Sequence, residues 1–246
     1  MMHQTVEEIE ALFSKSGGEF LTPATEIMEK LRHVKAYLFD WDGVFNPGIK
    51  GDGIKSTFAE PDAMGSNLLR FGHWLKFKEL PLFGIITAMN NQSAFQLSER
   101  EHFHLVYYSL LNKVKALEHI ENRFDVNRKQ VVFVFDDVLD LSIAQTCGLR
   151  FLVKRTGSPL FEEYVRKKGL CDYVCANSGS GYAVREVCEL LLGLLGIYSQ
   201  TVDERVNFSH LYSAYLSERN SLETHFYTIK DGIIQDERNT SCQKKY

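Results

Sequence analysis

Short apolar runs that end in polar or acidic residues recur along this chain, and stretches of helical period separate them. Lys35 to Asp40, Leu82 to Thr87, Leu105 to Tyr108, Val131 to Phe135 and Leu149 to Val153 read as strands, because continuous apolar runs of this length suit strands covered on both faces. Met64 to Leu75, Ser93 to Glu101, Asn112 to Asn122 and Leu139 to Cys147 carry helical periodicity between them. Cys171 to Val174 adds a short strand, and Ala183 to Leu195 a strongly apolar helix. The order β-α-β-α-β-α-β predicts an α/β fold with a doubly wound parallel sheet.

Two short helices are expected to open the chain, the second running from Ala24 to Leu31 behind Thr22-Pro23, a good N-cap and N1 pair. Between the first strand and the first long helix, residues 49–58 read as a hairpin turning at Gly51-Asp52-Gly53, since Gly and Asp accept the positive φ of such turns. After Ile197 the strand and helix alternation stops. Phe226 to Ile229 and Lys230 to Ile234 read there as a terminal hairpin turning at Asp231-Gly232. The expected organisation is a helical extension over 1–33, a catalytic domain over 34–197 and a C-terminal extension over 198–246.

With 246 residues and 44% apolar content, the chain can fill a substantial interior. Its formal charge of −4, from 28 basic and 32 acidic residues, offers no electrostatic reason to expect nucleic acid or an anionic membrane as partner. Five cysteines make an odd count without framework spacing, which fits reduced thiols and a cytoplasmic protein. Cys171 and Cys175 have no second Cys or His pair at a usable spacing for metal. The start is acidic rather than basic and apolar, and no segment approaches the ~20 apolar residues of a membrane span.

The strand ends carry the chemistry. Asp40 and Asp42 follow the first strand, and Asp136, Asp137 and Asp140 follow the strand at Val131 to Phe135. In a parallel sheet ligands collect at the carboxyl ends of strands, so both acid groups are expected at one edge. A carboxylate there attacks phosphorus when a divalent cation balances its charge, which makes Asp40 the candidate nucleophile. Asp42, two positions on, is placed to protonate the leaving oxygen and then to deprotonate water. Hard oxygen donors argue for Mg2+, held by Asp40, the main-chain oxygen of Asp42 and Asp136, with Asp137 and Asp140 in support. Thr87 and Lys113 supply the hydroxyl and the cation that a transferred phosphoryl group needs.

Plainer readings stand beside these. Asp-x-Asp-Gly is also turn chemistry, Lys113 suits a solvated helix start, and Asp62 either positions substrate or caps a helix. His102 and His104 are a metal pair or packing residues. Glu60 and Lys55 are sugar contacts or solvated charges, and Arg185 with Glu186 an ion pair or subunit contact. The Phe and Tyr excess, with no basic stripe beside it, belongs to core and interface.

Leu38-Phe39-Asp40-Trp41-Asp42-Gly43-Val44, Ile85-Ile86-Thr87, Asn112-Lys113 and Phe135-Asp136-Asp137-Val138-Leu139-Asp140, in this order, resemble the haloacid dehalogenase (HAD) superfamily of aspartate-nucleophile phosphatases. With Phe58-Ala59-Glu60-Pro61-Asp62 and Gly181 to Cys188, the likeness narrows to the 3-deoxy-manno-octulosonate-8-phosphate phosphatase subfamily, over Val34 to Leu195. The resemblance implies a HAD-like Rossmannoid without a cap domain, for which the gaps between motifs also leave no room. It implies a phosphomonoesterase acting on a sugar or sugar-acid phosphate through an aspartyl-phosphate, with Asp40, Asp42, Thr87 and Lys113 catalytic. Metal contacts at Asp40, Asp42, Asp136 and Asp137, substrate contacts at Asp62 and Ala88, and a homotetramer follow from it too. Pro61 and Ala63, Ala88-Met89 and Phe135 depart from the subfamily pattern and remove two arginines, which are planar donors suited to anions. The alternative of a different class is a catalytically weak relative that binds a ligand or serves as an oligomerisation module.

Overall fold

The computed structural model describes residues 4–237. Nine strands occur among them: β1 (Glu19–Phe20), β2 (Ala36–Phe39), β3 (Leu82–Ile86), β4 (Leu105–Tyr107), β5 (Val131–Phe135), β6 (Leu149–Leu152), β7 (Tyr173–Val174), β8 (His225–Lys230) and β9 (Ile233–Asp236). The α-helices are α1 (Val6–Lys15), α2 (Ala24–Leu31), α3 (Glu60–Phe77), α4 (Gln92–Arg100), α5 (Val114–Arg123), α6 (Leu141–Ala144), α7 (Pro159–Lys167), α8 (Ala183–Leu194), α9 (Tyr198–Val206) and α10 (His210–Asn220).

All strands join one open sheet in the order β1-β7-β6-β5-β2-β3-β4-β8-β9. Strands β2 to β8 run parallel, while β1 and β9 pair antiparallel at the two edges. The continuous apolar runs follow from this, because the central strands are covered on both faces. Along β2, Tyr37 and Phe39 enter one core while Ala36 and Leu38 enter the other. Along β5, Val132 and Val134 face the first core and Val131, Phe133 and Phe135 the second. The doubly wound expectation therefore holds.

Helix α3 is buried along most of its length, since α8 packs closely along it and α9 and α10 also pack against it. Gly65 permits that approach, as a Cβ there would stand 3.0 Å from the Arg185 Cα. The second core is closed by residues of α5, α6 and α7.

Two expectations are corrected. The stretch 49–58 keeps the turn, with Ile54 N–H donating to Gly51 O at 3.2 Å, but forms no strand ladder. An isolated two-stranded ribbon is marginal without a partner for its apolar face, and Ile49 and Ile54 remain exposed here. Beyond Ile197, the polar tail folds into α9 and α10 rather than ending the helical pattern. Its hairpin does turn at Asp231-Gly232, both at positive φ, yet β8 is no appendix: it adds to the main sheet in parallel beside β4. No described helix is long and apolar enough to cross a membrane.

Candidate active site

Strand β2 is flanked by β3 and β5 in parallel register, with Phe39 opposite both Ile85 and Val134. Asp40, Thr87 and Asp136 follow the ends of these three strands, so one sheet edge gathers them. The chain proceeds from β2 to β3 on one side and returns to β5 on the other. This reversal opens the crevice where open α/β sheets bind ligands.

Asp40 is fixed by its backbone, whose N–H donates to Val134 O at 2.9 Å. Trp41 buries its ring against Phe45 at 4.9 Å and anchors the loop. Gly43 N–H donates to Asn46 O at 2.9 Å, and Asn46 Oδ1 accepts from Gly48 N–H at 2.8 Å, closing the turn. Gly43 has φ +94°, and a Cβ there would stand 1.9 Å from Asp136 Oδ2. A glycine is thus required for the two acid loops to meet.

One carboxyl oxygen from each of Asp40, Asp136 and Asp140 lies within 4.8 Å of the other two, and all three residues are buried. Lys113, at the N-cap of α5, lies between two of them. Its Nζ donates to Asp40 and stands 2.5 Å from Asp140 Oδ1. Burial opposes the lysine's charge, yet Asp40 and Asp140 outweigh it and raise its pKa. The Asp136 carboxyl is pushed well above the usual carboxylate range, first by burial and then by the charges of Asp40 and Asp140. Arg155 Nε lies 2.5 Å from Asp136 Oδ2 as an ion pair, but neither Asp136 oxygen receives an aligned hydrogen bond. Buried carboxylate oxygens so placed need a cation. An all-oxygen donor set of this kind fits a hard divalent ion such as Mg2+.

Asp42 stands outside this close trio, its side chain 20% exposed. Ser56 Oγ donates to its Oδ1 at 2.7 Å, Asn91 Nδ2 donates to its Oδ2 at 2.9 Å, and Lys50 Nζ lies 2.7 Å from Oδ2. Thr87 is buried, and its Oγ1 accepts from the same Asn91 amide at 2.9 Å and from Met89 N–H at 3.3 Å. Ala88, half-buried, follows directly on this strand end. Asp137 points outward, its side chain 54% exposed, where it pairs with Arg155 Nη1 at 3.2 Å and caps Val138 N–H at 2.7 Å.

Asp62 is placed differently. It is fully buried, and its Oδ1 accepts from Arg185 N–H at 2.9 Å in the first turn of α8. Tyr182, at that helix's N-cap, has φ 69° and caps nothing with its side chain. Asp62 therefore caps a helix, though not its own. Burial pushes its carboxyl up to about 6, against the opposing effect of the Arg185 and Val184 N–H groups.

His104 is half-buried and its Nδ1 accepts from Phe83 N–H at 3.2 Å, while His102 Nδ1 contacts Leu222 O at 3.0 Å, so both serve packing. Among the described residues the possible metal cluster is the aspartate trio, without histidine or cysteine. Sequence reasoning missed Lys50, Ser56, Asn91 and Arg155. Asn91 and Arg155 carry readable signals, an amide just ahead of a helix and a cation just beyond a buried strand, whereas Lys50 and Ser56, in an irregular loop, carry none.

No protein-family model matches the chain. The 3-deoxy-D-manno-octulosonate 8-phosphate phosphatase of Salmonella typhi is 26% identical over 198 residues, which cover 73% of this chain and 92% of that protein. A Legionella pneumophila protein assigned to subfamily III A of the HAD hydrolases superposes with TM-score 0.62 at 24% identity, over 74% of this chain and 94% of its own. The Moraxella catarrhalis 3-deoxy-D-manno-octulosonate 8-phosphate phosphatase, solved with magnesium, phosphate and KDO, superposes with TM-score 0.62 at 22% identity, over 74% and 98%. In its fold and in the order and placement of its acid motifs, the chain is similar to these haloacid dehalogenase hydrolases and to the 3-deoxy-D-manno-octulosonate 8-phosphate phosphatases.

Proposed function

We propose that this chain is a Mg2+-dependent phosphomonoesterase that hydrolyses a small phosphorylated metabolite, a sugar or sugar-acid phosphate, through an aspartyl-phosphate on Asp40. One observation carries the reading. Three buried aspartates converge on one spot with a buried lysine bound to two of them, a charge arrangement with no use in a mere turn. The named substrates of the relatives support the choice of substrate class.

Asp40, Asp136 and the main-chain oxygen of Asp42 would hold the cation, with Asp137 and Asp140 around them. When bound, the ion neutralises carboxylate and phosphoryl charge and so lets two anions approach. A carboxyl oxygen of Asp40 attacks phosphorus while the ester P–O bond breaks. Asp42 delivers its proton to the departing alcohol oxygen. Asp42 then takes a proton from water, which attacks the aspartyl-phosphate and releases phosphate together with the regenerated carboxylate. Lys113 holds Asp40 in position and balances charge on the transferred phosphoryl group, and Thr87 offers its hydroxyl to the phosphoryl oxygens. Ala88 lies beside that path. Asp62 would act on substrate only indirectly, through the α8 loop.

A homotetramer is part of the same proposal, carried over from the subfamily resemblance. A cytoplasmic location is another part, supported by four buried unpaired thiols, Cys147, Cys171, Cys175 and Cys188. Phosphate release from a panel of sugar phosphates and a chromogenic ester tests the activity. We expect release with Mg2+, none with chelator, and none from Asp40→Asn. Unchanged turnover in Asp40→Asn would refute the mechanism, and no turnover at all would favour the catalytically weak binding protein. Mass in solution tests the tetramer, and a monomer at micromolar concentration would exclude it.

A further inference from the structure

The Asp42 carboxylate is held by three donors from outside its own turn. Ser56 holds Oδ1, while Asn91 and Lys50 share Oδ2. The same donors are also joined to one another. Lys50 Nζ donates to Ser56 Oγ at 2.6 Å and to Asn91 Oδ1 at 3.1 Å, and the Asn91 amide also donates to Thr87 Oγ1 at 2.9 Å. One network thus joins the proton-transfer group, the phosphoryl-binding hydroxyl and a cation.

Its members differ in freedom. Asn91 and Thr87 are buried, whereas the Lys50 side chain is 42% exposed on a loop without regular structure. The other cations that touch these acids each pair with two of them. Lys113 is buried between Asp40 and Asp140, and Arg155 pairs with Asp136 and Asp137. Lys50 pairs with a single carboxylate at the mouth of the site. A phosphoryl group brought to Asp40 and Thr87 carries between one and two negative charges at neutral pH, up to about twice the charge of Asp42.

We propose that Lys50 is a second phosphoryl-binding cation of this chain, beside Lys113, leaving Asp42 for the substrate's phosphoryl oxygens while Asn91 keeps Asp42 and Thr87 in fixed relation. The exchange also removes one of three donors from Asp42, and so uncovers the oxygen that must pass a proton to the leaving group. This assignment rests on the phosphomonoesterase reading above. The bland reading is a solvated surface pair, worth about 0–1 kcal/mol and irrelevant to substrate.

The full chain with Mg2+ and an aryl phosphate, with inorganic phosphate as competing ligand, separates the two. Lys50→Met should raise both KM and the phosphate inhibition constant about tenfold, as expected for one lost charge-assisted contact, and Lys50→Arg should restore most of it. The melting temperature should not move, since the residue is exposed on a loop. A phosphate inhibition constant within about twofold of wild type in Lys50→Met, the scatter expected of a surface pair, overturns the proposal while leaving the phosphatase reading intact. So does a fall in kcat alone, which would make Lys50 a holder of Asp42 only. Wild-type protein that neither releases nor binds phosphate sinks both.

Discussion

Lys113 Nζ lies 2.5 Å from Asp140 Oδ1 and donates from the same nitrogen to Asp40, so one buried ammonium holds two carboxylates from different strand ends. Lys113→Met leaves both acids buried without their counter-ion. Removing one partner of such a cluster costs about 3–5 kcal/mol. Urea denaturation in chelator should show a loss of that order, and saturating Mg2+ should recover part of it. Turnover should fall by at least about a hundredfold, as when an oriented donor is removed from a charged transition state. A stability change below about 1 kcal/mol, the scale of a surface pair, would mean that the lysine is solvated in solution.

Asp136 tests the cation site. Its carboxyl lies above its unfolded pKa, so the native state binds more protons than the unfolded chain over that interval. Native stability without divalent ions should therefore fall as pH rises from the ordinary carboxylate range toward neutrality. Mg2+ at about a hundred times its Kd should return about 2.7 kcal/mol through mass action. Asp136→Asn should flatten the pH dependence in chelator and abolish most of the Mg2+-induced rise in melting temperature. An undiminished rise in the variant would place the ion elsewhere.

Asp40, Thr87 and Asp136 are legible because a strand leaves a clear mark, an apolar run with a polar residue at its end, whereas Lys113, at the N-cap of α5, is read only from its order among the other motifs. The helices α3, α5 and α8 were legible by period for the same reason. Lys50 and Ser56 left no mark, since an irregular loop has no period and its contacts are made across the crevice. Asp62 shows a subtler limit. Sequence places it just ahead of the helix expected from Met64, where an acid can cap locally, but its carboxyl caps α8, and only the packing of α3 on α8 reveals that. The tail was hidden by exposure, because α9 buries little beyond Thr201 and its polar surface masks the helical period.

Phe135 departs from the subfamily pattern beside the candidate metal loop, yet its ring lies in the core on the far face, stacked at 3° on Phe133. It therefore neither narrows the crevice nor displaces Asp136. Phe135→Ala should cost about 3–5 kcal/mol as a cavity. Phe135→Leu, closer in volume, should cost less than about 1.5 kcal/mol. Phosphate release by the leucine variant should match wild type at temperatures where both are folded. Faster turnover with unchanged stability would show that the ring does obstruct the site.

Asp62 supplies a prediction with the opposite sense from ordinary acid denaturation. Its carboxyl titrates near 6 in the folded chain, above the normal Asp value of 3.8, because burial penalises the charge. A raised carboxyl pKa means that the folded state takes up a proton first, so its contribution to stability is greatest at low pH and is lost as pH rises through 6. At pH 7 the buried charge costs about 3 kcal/mol by this linkage, an upper bound that relaxation of the helix end reduces. Asp62→Asn keeps an acceptor for the Arg185 N–H without the charge, and should be the more stable protein above pH 6, with the difference vanishing below pH 4. Asp62→Ala removes the cap as well and should lose about 1 kcal/mol relative to the asparagine variant at every pH. Chemical denaturation of the three proteins from pH 4 to 8 decides the matter. An asparagine variant less stable than wild type at pH 7 would mean that the α8 N-terminus stabilises the carboxylate by more than burial costs it.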